Sequence, residues 1–298
     1  MGKKITQLAT ITEIADDDLL VGVDISDTSG SDDGTNKKFT KANLLSGLAL
    51  LTPQQTGWNP DAETWAYHSV DDPTGYIKIE GKDVSANYSV GWRIMFTNGG
   101  NVIKGIITAI TYSDPDTILT FLHEIDPTDN QALYLLTNSA ITENYFSPHK
   151  APLGFPLDPN KWSVKIKDTT STAQATPTAN QWYNIGGVGI SIPIGLWKIK
   201  YSHLWGLQET SGTTVSGKTT LSTGNTTESD VDFSSYGAYI GATGSITLRI
   251  LAYREKFVSL VAKTQYYLNT LTAGSGNENL YSYGAILPTK IIAECAYL

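Results

Sequence analysis

Cysteine is nearly absent: Cys295 stands alone in 298 residues, so no disulfide closes within the chain and packing must hold the fold. A lone thiol of this kind reads as a packed side chain rather than a reactive one. Charge is scarce too. Asp, Glu, Lys and Arg make up 17% of the chain, below the ~25% usual for a globular protein. Basic residues are the scarcer sign: 21 Lys and Arg against 29 Asp and Glu leave a net charge of −8, which argues against nucleic acid and anionic membrane surfaces as partners. No apolar run approaches the ~20 residues of a membrane-crossing helix, so membrane insertion is not expected. The start of the chain turns polar soon after Lys3-Lys4, which does not read as a signal peptide and leads to an expectation of synthesis in a cytoplasm.

Thr, Ser, Asn, Gly and Tyr fill the gap. Branched and aromatic residues suit pleated surfaces, and Gly and Asn make hairpin turns, so the composition predicts an all-β fold. The length suggests two or three domains. Residues 1–51 are one segment, with alternating Ile5, Leu8, Ile11 and Ile14, then Asp16 to Asp18, and a predicted strand Leu19-Leu20-Val21-Gly22-Val23-Asp24. A Ser/Asp/Gly loop leads to Lys37-Lys38-Phe39-Thr40, and Thr40 is placed to cap a short helix bearing Leu44, Leu45, Leu48 and Leu51. So small a segment cannot bury enough surface alone and must dock, on a partner chain or on its own. Residues 52–57 read as a linker. Residues 58–150 carry short strands and strong turns at Asp72-Pro73-Thr74-Gly75, Asn98-Gly99-Gly100-Asn101 and Ser113-Asp114-Pro115-Asp116, predicting a small β-barrel or sandwich. Residues 151–185 form a Pro/Thr/Asn-rich connector. Residues 186–298 predict a β-sandwich, with strands at 189–192, 195–204, 245–253, 257–267 and 291–297 and long polar loops at Ser211–Tyr239 and Ala273–Tyr283.

The ordered set in residues 3–51 resembles the N-terminal virion-attachment segment of tailed-phage fibre and appendage proteins. There an I-T-x-L stretch, an Asp-rich strand, a Gly/Thr loop and a K-[KR]-[IF]-T strand precede a shaft or head domain. The middle domain is similar to one common in phage tail and fibre proteins, through Trp65, Tyr67, Val84, Tyr88-x-Val90-Gly91-x-Arg93-Ile94, Gly105-x-Ile107 and Tyr145-Phe146-Ser147-Pro148. The strand pattern around Pro193 to Ile199 and Ile291 to Leu298 is similar to jelly-roll heads at the tips of trimeric fibres. The resemblance implies virion localisation, a homotrimer, other virion structural proteins as partners, and anchoring by Ile5, Leu8, Ile11, Ile14, Leu19, Leu20, Val21, Leu44, Leu45 and Leu48.

Chemical motifs are few. Gly212-Thr213-Thr214-Val215-Ser216-Gly217-Lys218-Thr219 fits the phosphate-loop pattern by letter, but the Ser/Thr-rich residues after it are poor helix formers and no βαβ alternation surrounds it, so it reads as a polar hairpin loop. The acidic loop from Asp24 to Asp33 lacks the EF-hand glycine and glutamate and reads as a solvated turn. His68, His123, His149 and His203 share no ligand spacing, so no metal or cofactor is expected. No G-x-S-x-G elbow occurs, and the chain reads as a non-enzyme. Sixteen Tyr and seven Trp remain as contact residues, with Tyr236, Tyr239, Tyr281 and Tyr283 in the polar loops as candidate contacts to a host glycan or protein. The expectation is a structural virion appendage displaying its last domain for host attachment. The alternatives are a capsid-decorating fibre without a receptor role, and a glycan-processing enzyme.

Overall fold

The computed structural model describes residues 19–24, 35–40, 56–209, 215–239, 246–273 and 277–298. Ile5, Leu8, Ile11, Ile14, the acidic loop and the helix expected at Leu44, Leu45 and Leu48 lie outside them. The described residues are all-β: strands account for 57%, and every sheet among them is antiparallel. The chain divides into a unit of residues 1–56 and a unit of residues 57–298.

In the first unit β1 (Leu19–Asp24) pairs β2 (Thr35–Thr40) in register from Leu19↔Thr40 to Asp24↔Thr35. Both strands stand where the sequence predicts them.

The second unit opens with β3 (Asn59–Pro60), β4 (Ala66–Asp71), β5 (Thr74–Ile79), β6 (Arg93–Asn98), β7 (Asn101–Ser113), β8 (Asp116–His123) and β9 (Ile141–Ser147). They form one seven-stranded sheet, ordered β3-β9-β6-β7-β8-β5-β4, that does not close into a barrel. The predicted turns join its hairpins. Gly99 and Gly100, both at positive φ, make the two-residue turn between Asn98 and Asn101. Buried Asn98 then donates to the carbonyls of Thr137, Ser139 and Ala140, fixing the loop before β9. The sheet is covered on both faces. Ile107 and Phe121 join an aromatic core with Trp65, Ile77 and Phe96, while their neighbours Ile106 and Leu122 face the second half of the unit. Doubly covered strands read as unbroken apolar runs, which explains Ile106-Ile107 and Phe121-Leu122.

The remaining strands are β10 (Ser163–Asp168), β11 (Ser171–Ala175), β12 (Trp182–Tyr183), β13 (Gly189–Ile192), β14 (Gly195–Glu209), β15 (Val215–Ser222), β16 (Ser235–Tyr239), β17 (Ile246–Leu260), β18 (Thr264–Thr272), β19 (Asn277–Tyr283) and β20 (Thr289–Cys295). Front sheet β10-β20-β14-β19-β11, with β17 on the other side of β14, faces back sheet β12-β18-β15-β16, with β13 also on β18. Trp197, Tyr201, Trp205 and Leu207 of β14 meet Ile192, Leu221, Phe233 and Leu268 between the sheets. A sandwich is what the sequence predicts, but it begins before residue 186: β10, β11 and β12 lie within residues 151–185, expected as a connector, and complete its two sheets.

Its details also differ from the sequence reading at four strands. β17 is one strand where two were expected, because Arg254 and Lys256 have partners that keep the chain extended: Arg254 donates to Ser234 O, and Lys256 bridges Asp230 and Asp232, each at 2.7 Å. β15, β16 and β19 run through stretches read as loops. Buried Thr219 of β15 and buried Ser282 of β19 both meet His203 of β14, which alternation of apolar residues cannot reveal.

The two halves of residues 57–298 are joined through polar and aromatic contacts. Arg93, fully buried, donates to the carbonyls of Gly91, Lys150 and Tyr297, with its guanidinium 5.0 Å from the Phe155 ring centre. Phe155 stacks on Trp162 and meets Trp58. Asn130 clamps the Lys165 backbone by two 2.8 Å bonds, and Lys263 bridges Asp71 at 2.6 Å. Cys295 is buried beside Arg93, and burial raises its thiol to about 11, in keeping with a packed role.

Candidate functional site

The candidate surface is the outer face of the front sheet. Along β14 side chains alternate: Trp197, Ile199, Tyr201, His203 and Trp205 point into the sandwich, so Lys198, Lys200, Ser202, Leu204, Gly206 and Gln208 stand outside. The register carries this face across the sheet. Gly206 lies opposite Arg249 of β17 and Tyr281 of β19, and Lys200 lies opposite Glu255 and Ile292.

Two of the four predicted tyrosines come together there. Tyr281 and Tyr283 stack with ring centres 5.2 Å apart and planes 19° from parallel. Arg249 covers Tyr283 at 4.8 Å, a cation–π contact. Gln208 Oε1 accepts from Tyr281 Oη at 2.6 Å and from Asn279 at 3.1 Å. Gly206 makes the stack possible, since a Cβ there would meet Tyr283 at 2.7 Å and the Leu248 carbonyl at 2.3 Å. Tyr283 is thereby almost closed to solvent, while Tyr281 is half-buried. Tyr236 sits apart, 60% exposed on β16 opposite Lys218 in the back sheet. The Tyr239 backbone pairs with Val215 in the same hairpin. All four lie in strands rather than loops. Sequence reasoning missed Arg249 and Gln208, because their roles arise only from cross-strand neighbours.

Beneath this face lies a buried polar layer. Thr219 Oγ1 donates to Asn269 O at 3.1 Å, so the His203 Nδ1–H, 3.2 Å away, donates to Thr219. His203 Nε2 then accepts from Ser282 Oγ at 3.2 Å. Burial lowers the imidazole to about 4, partly opposed by Asp168, so the ring is neutral at pH 7. A serine donating to a neutral histidine is the contact a nucleophile makes with its base. Here Ser282 and His203 are 0% and 2% exposed, so no substrate reaches them and the pair serves packing.

The phosphate-loop match is also explained by packing. Its described part, Val215 to Thr219, is antiparallel strand. A Cβ on Gly217 would meet the Trp205 ring at 2.8 Å, Lys218 lies 3.9 Å from Glu228, and Thr219 belongs to the buried layer. Among the described residues no group of His, Cys, Asp and Glu has the geometry of a metal site, and no helix is long and apolar enough to cross a membrane.

No family model and no curated protein sequence matches the chain. Among solved structures it is similar to dimeric latent PorU from Porphyromonas gingivalis at 10% identity and TM-score 0.25, over 78% of this chain and 24% of that one. The chain thus spans about a quarter of the PorU chain. It is also similar to the infectious bursal disease virus VP2 subviral particle at 14% identity and TM-score 0.23, over 82% and 80% of the two chains. A third is the CBM22 tandem domain of Paenibacillus barcinonensis Xyn10C, at 11% identity and TM-score 0.19, over 80% and 95%. Likenesses this distant carry no argument about fold or function.

Proposed function

We propose that this chain is a non-enzymatic structural protein of a tailed-phage virion, an appendage that is anchored through residues 1–51 and displays its C-terminal sandwich for attachment to a host-surface glycan or protein. The observation that carries the display role is the outer face of the front sheet, where Tyr281, Tyr283, Arg249 and Gln208 form a rigid aromatic and amide platform on β-strands. Rigid aromatics with hydrogen-bonding neighbours make contacts at low entropic cost. The ordered motifs of residues 3–51 support the anchoring role. A homotrimer is part of the reading, as the resemblance of residues 3–51 implies. Trivalency strengthens weak single contacts by roughly 10²–10⁴ where geometry permits.

The test uses the purified full-length protein as a competitor. It should block adsorption of particles to host cells, and Tyr281→Ala should weaken that block while leaving the melting temperature within a few degrees. If the protein labels the particles but never competes, the capsid-decorating reading replaces this one. Turnover of host polysaccharide would favour the enzyme.

A further inference from the structure

Thirteen lysines have described side chains, and ten of them meet a carboxylate or a backbone carbonyl, as Lys198 meets Glu255, Lys200 meets Glu294 and Lys104 meets Gly154 O. The three without such a partner are Lys165, Lys167 and Lys290. They line one groove of about 530 Å³ on the outer face of the front sheet. In a chain of net charge −8, lysines left unpaired together in one groove call for a reason.

The register makes the arrangement costly. Lys167 of β10 lies directly opposite Lys290 of β20, and Lys165 lies on the same face two residues away, opposite Ile292. Like charges directly opposite on antiparallel strands repel, because their Cβ atoms are only ~5 Å apart. The nearby acids do not neutralise them. The Asp158 carboxylate accepts from the Asn160 backbone and side chain, and Asp126 accepts from the Thr128 backbone and hydroxyl. Lys165 lowers the Asp158 pKa from a distance but forms no ion pair with it. The opposite wall is held firmly, since Asn130 bonds the Lys165 backbone in both directions. The groove is therefore a preformed cationic slot with an apolar side at Ile166 and Ile292.

We propose that this slot binds an anionic substituent of a polysaccharide: a carboxylate, sulfate or phosphate held between the Lys165, Lys167 and Lys290 ammonium groups. Continuity with the tyrosine platform favours a glycan chain over a free ion. Lys290 lies opposite Ser202 and Tyr281 opposite Gly206 on the same strand, so the two sites are about 13 Å apart at ~3.3 Å per residue. A long nucleic acid would instead meet the repulsion of the acidic remainder. The inference rests on the display reading for the biological source of the ligand, but its chemistry is tested separately.

The experiment measures binding of the full-length protein to heparin, polygalacturonate and poly(glycerol phosphate), carrying sulfate, carboxylate and phosphate respectively, with neutral dextran as reference. At least one anionic polymer should bind more tightly than dextran, with affinity falling as salt rises. Lys167→Glu with Lys290→Glu should weaken that binding about tenfold or more at an unchanged melting temperature. The same double charge reversal at Lys78 and Lys82, on the other half of the unit, should leave it unchanged. No preference for any anionic polymer, or an equal loss from the control reversal, overturns the proposal. Failure here alongside intact competition with particles removes only the anion slot. Polyanion binding without such competition removes the display role instead.

Discussion

Around Phe96 and Phe121 the middle sheet closes on side chains with few polar atoms, whereas around Tyr201 and His203 the sandwich encloses hydroxyls, an amide and an imidazole. In the first core, aromatic rings meet edge to face, Phe96 with Trp65 at 5.8 Å and with Phe121 at 5.7 Å. In the second, His203 of β14, Thr219 of β15, Asn269 and Thr270 of β18 and Ser282 of β19 are linked by hydrogen bonds across both sheets. Tyr201 adds a bond from its hydroxyl to the Phe233 carbonyl at 2.7 Å. The first core is specified by shape and tolerates small shifts. The second is specified by donor and acceptor positions, and a one-residue slip of any strand would leave several buried groups unpaired. The front sheet that presents the candidate surface thus has its register locked from beneath.

Acid should produce the largest effect, and it acts on both cores. Burial lowers His123 in the middle sheet to about 3, opposed only by the Tyr134 backbone, and lowers His203 to about 4. In the unfolded chain both rings take a proton near pH 6.5. Stability should therefore be full above about pH 6.5 and fall as pH drops towards 4, where each histidine has withdrawn about 3 kcal/mol at ~1.4 kcal/mol per unit. Urea midpoints between pH 7.5 and 4 should show this slope. A flat profile would mean that neither ring is buried in its neutral form.

The joint between the cores comes next. Arg93→Met keeps the alkyl stem but removes the charge-assisted bonds to the Gly91, Lys150 and Tyr297 carbonyls. The expected loss is about 3 kcal/mol, since bonds from charged donors contribute ~1.5–3 kcal/mol each and relief of the buried charge offsets part of that. If Arg93 also couples the halves, unfolding of the variant should split into two transitions. A single transition with an unchanged midpoint would show that the aromatic contacts of Trp58, Phe155 and Trp162 suffice.

How far each region could be read in advance follows from the same contrast. Alternation at Gly75 to Ile79, the Asn98-Gly99-Gly100-Asn101 turn and the strand Leu19–Asp24 are local signals, and the structure has them where expected. β15 was illegible because Ser216 to Ser222 offers one apolar side chain, Leu221, among polar residues and glycine. Its buried Thr219 is satisfied by residues 16 to 51 positions away, which no local window contains. The charged run Arg254-Glu255-Lys256 falls between two expected strands because its partners, Ser234, Asp230 and Asp232, lie in another segment. At the candidate surface, tyrosines 281 and 283 were visible by type, and their spacing of two puts them on one strand face. Arg249 and Lys290 were not, since only the register of β17 and β20 against their neighbours brings them into place. A sequence shows what a strand offers; its neighbours decide which offer is used.

The smallest and sharpest test exchanges one residue type in both cores. His123 lies 4.6 Å from the Phe121 ring, and neither of its ring nitrogens meets a partner at hydrogen-bonding distance and angle. Both nitrogens of His203 are bonded. Replacing a buried unpaired polar group by an apolar one of similar shape is nearly neutral, whereas orphaning its bonded partners costs ~1–3 kcal/mol. At pH 7.5, His123→Phe should therefore stay within about 1 kcal/mol of the parent, while His203→Phe should cost about 2 kcal/mol by stranding Ser282 and Thr219. The same pair sharpens the acid result, because His123→Phe should also remove that residue's share of the pH dependence. Urea denaturation of both variants at pH 7.5 and 4.5 measures all four values. Equal costs at pH 7.5 would erase the distinction between the cores. A costly His123→Phe would point to a hydrogen bond at that ring, through the Tyr134 backbone or a buried water, and would move the middle sheet into the polar class.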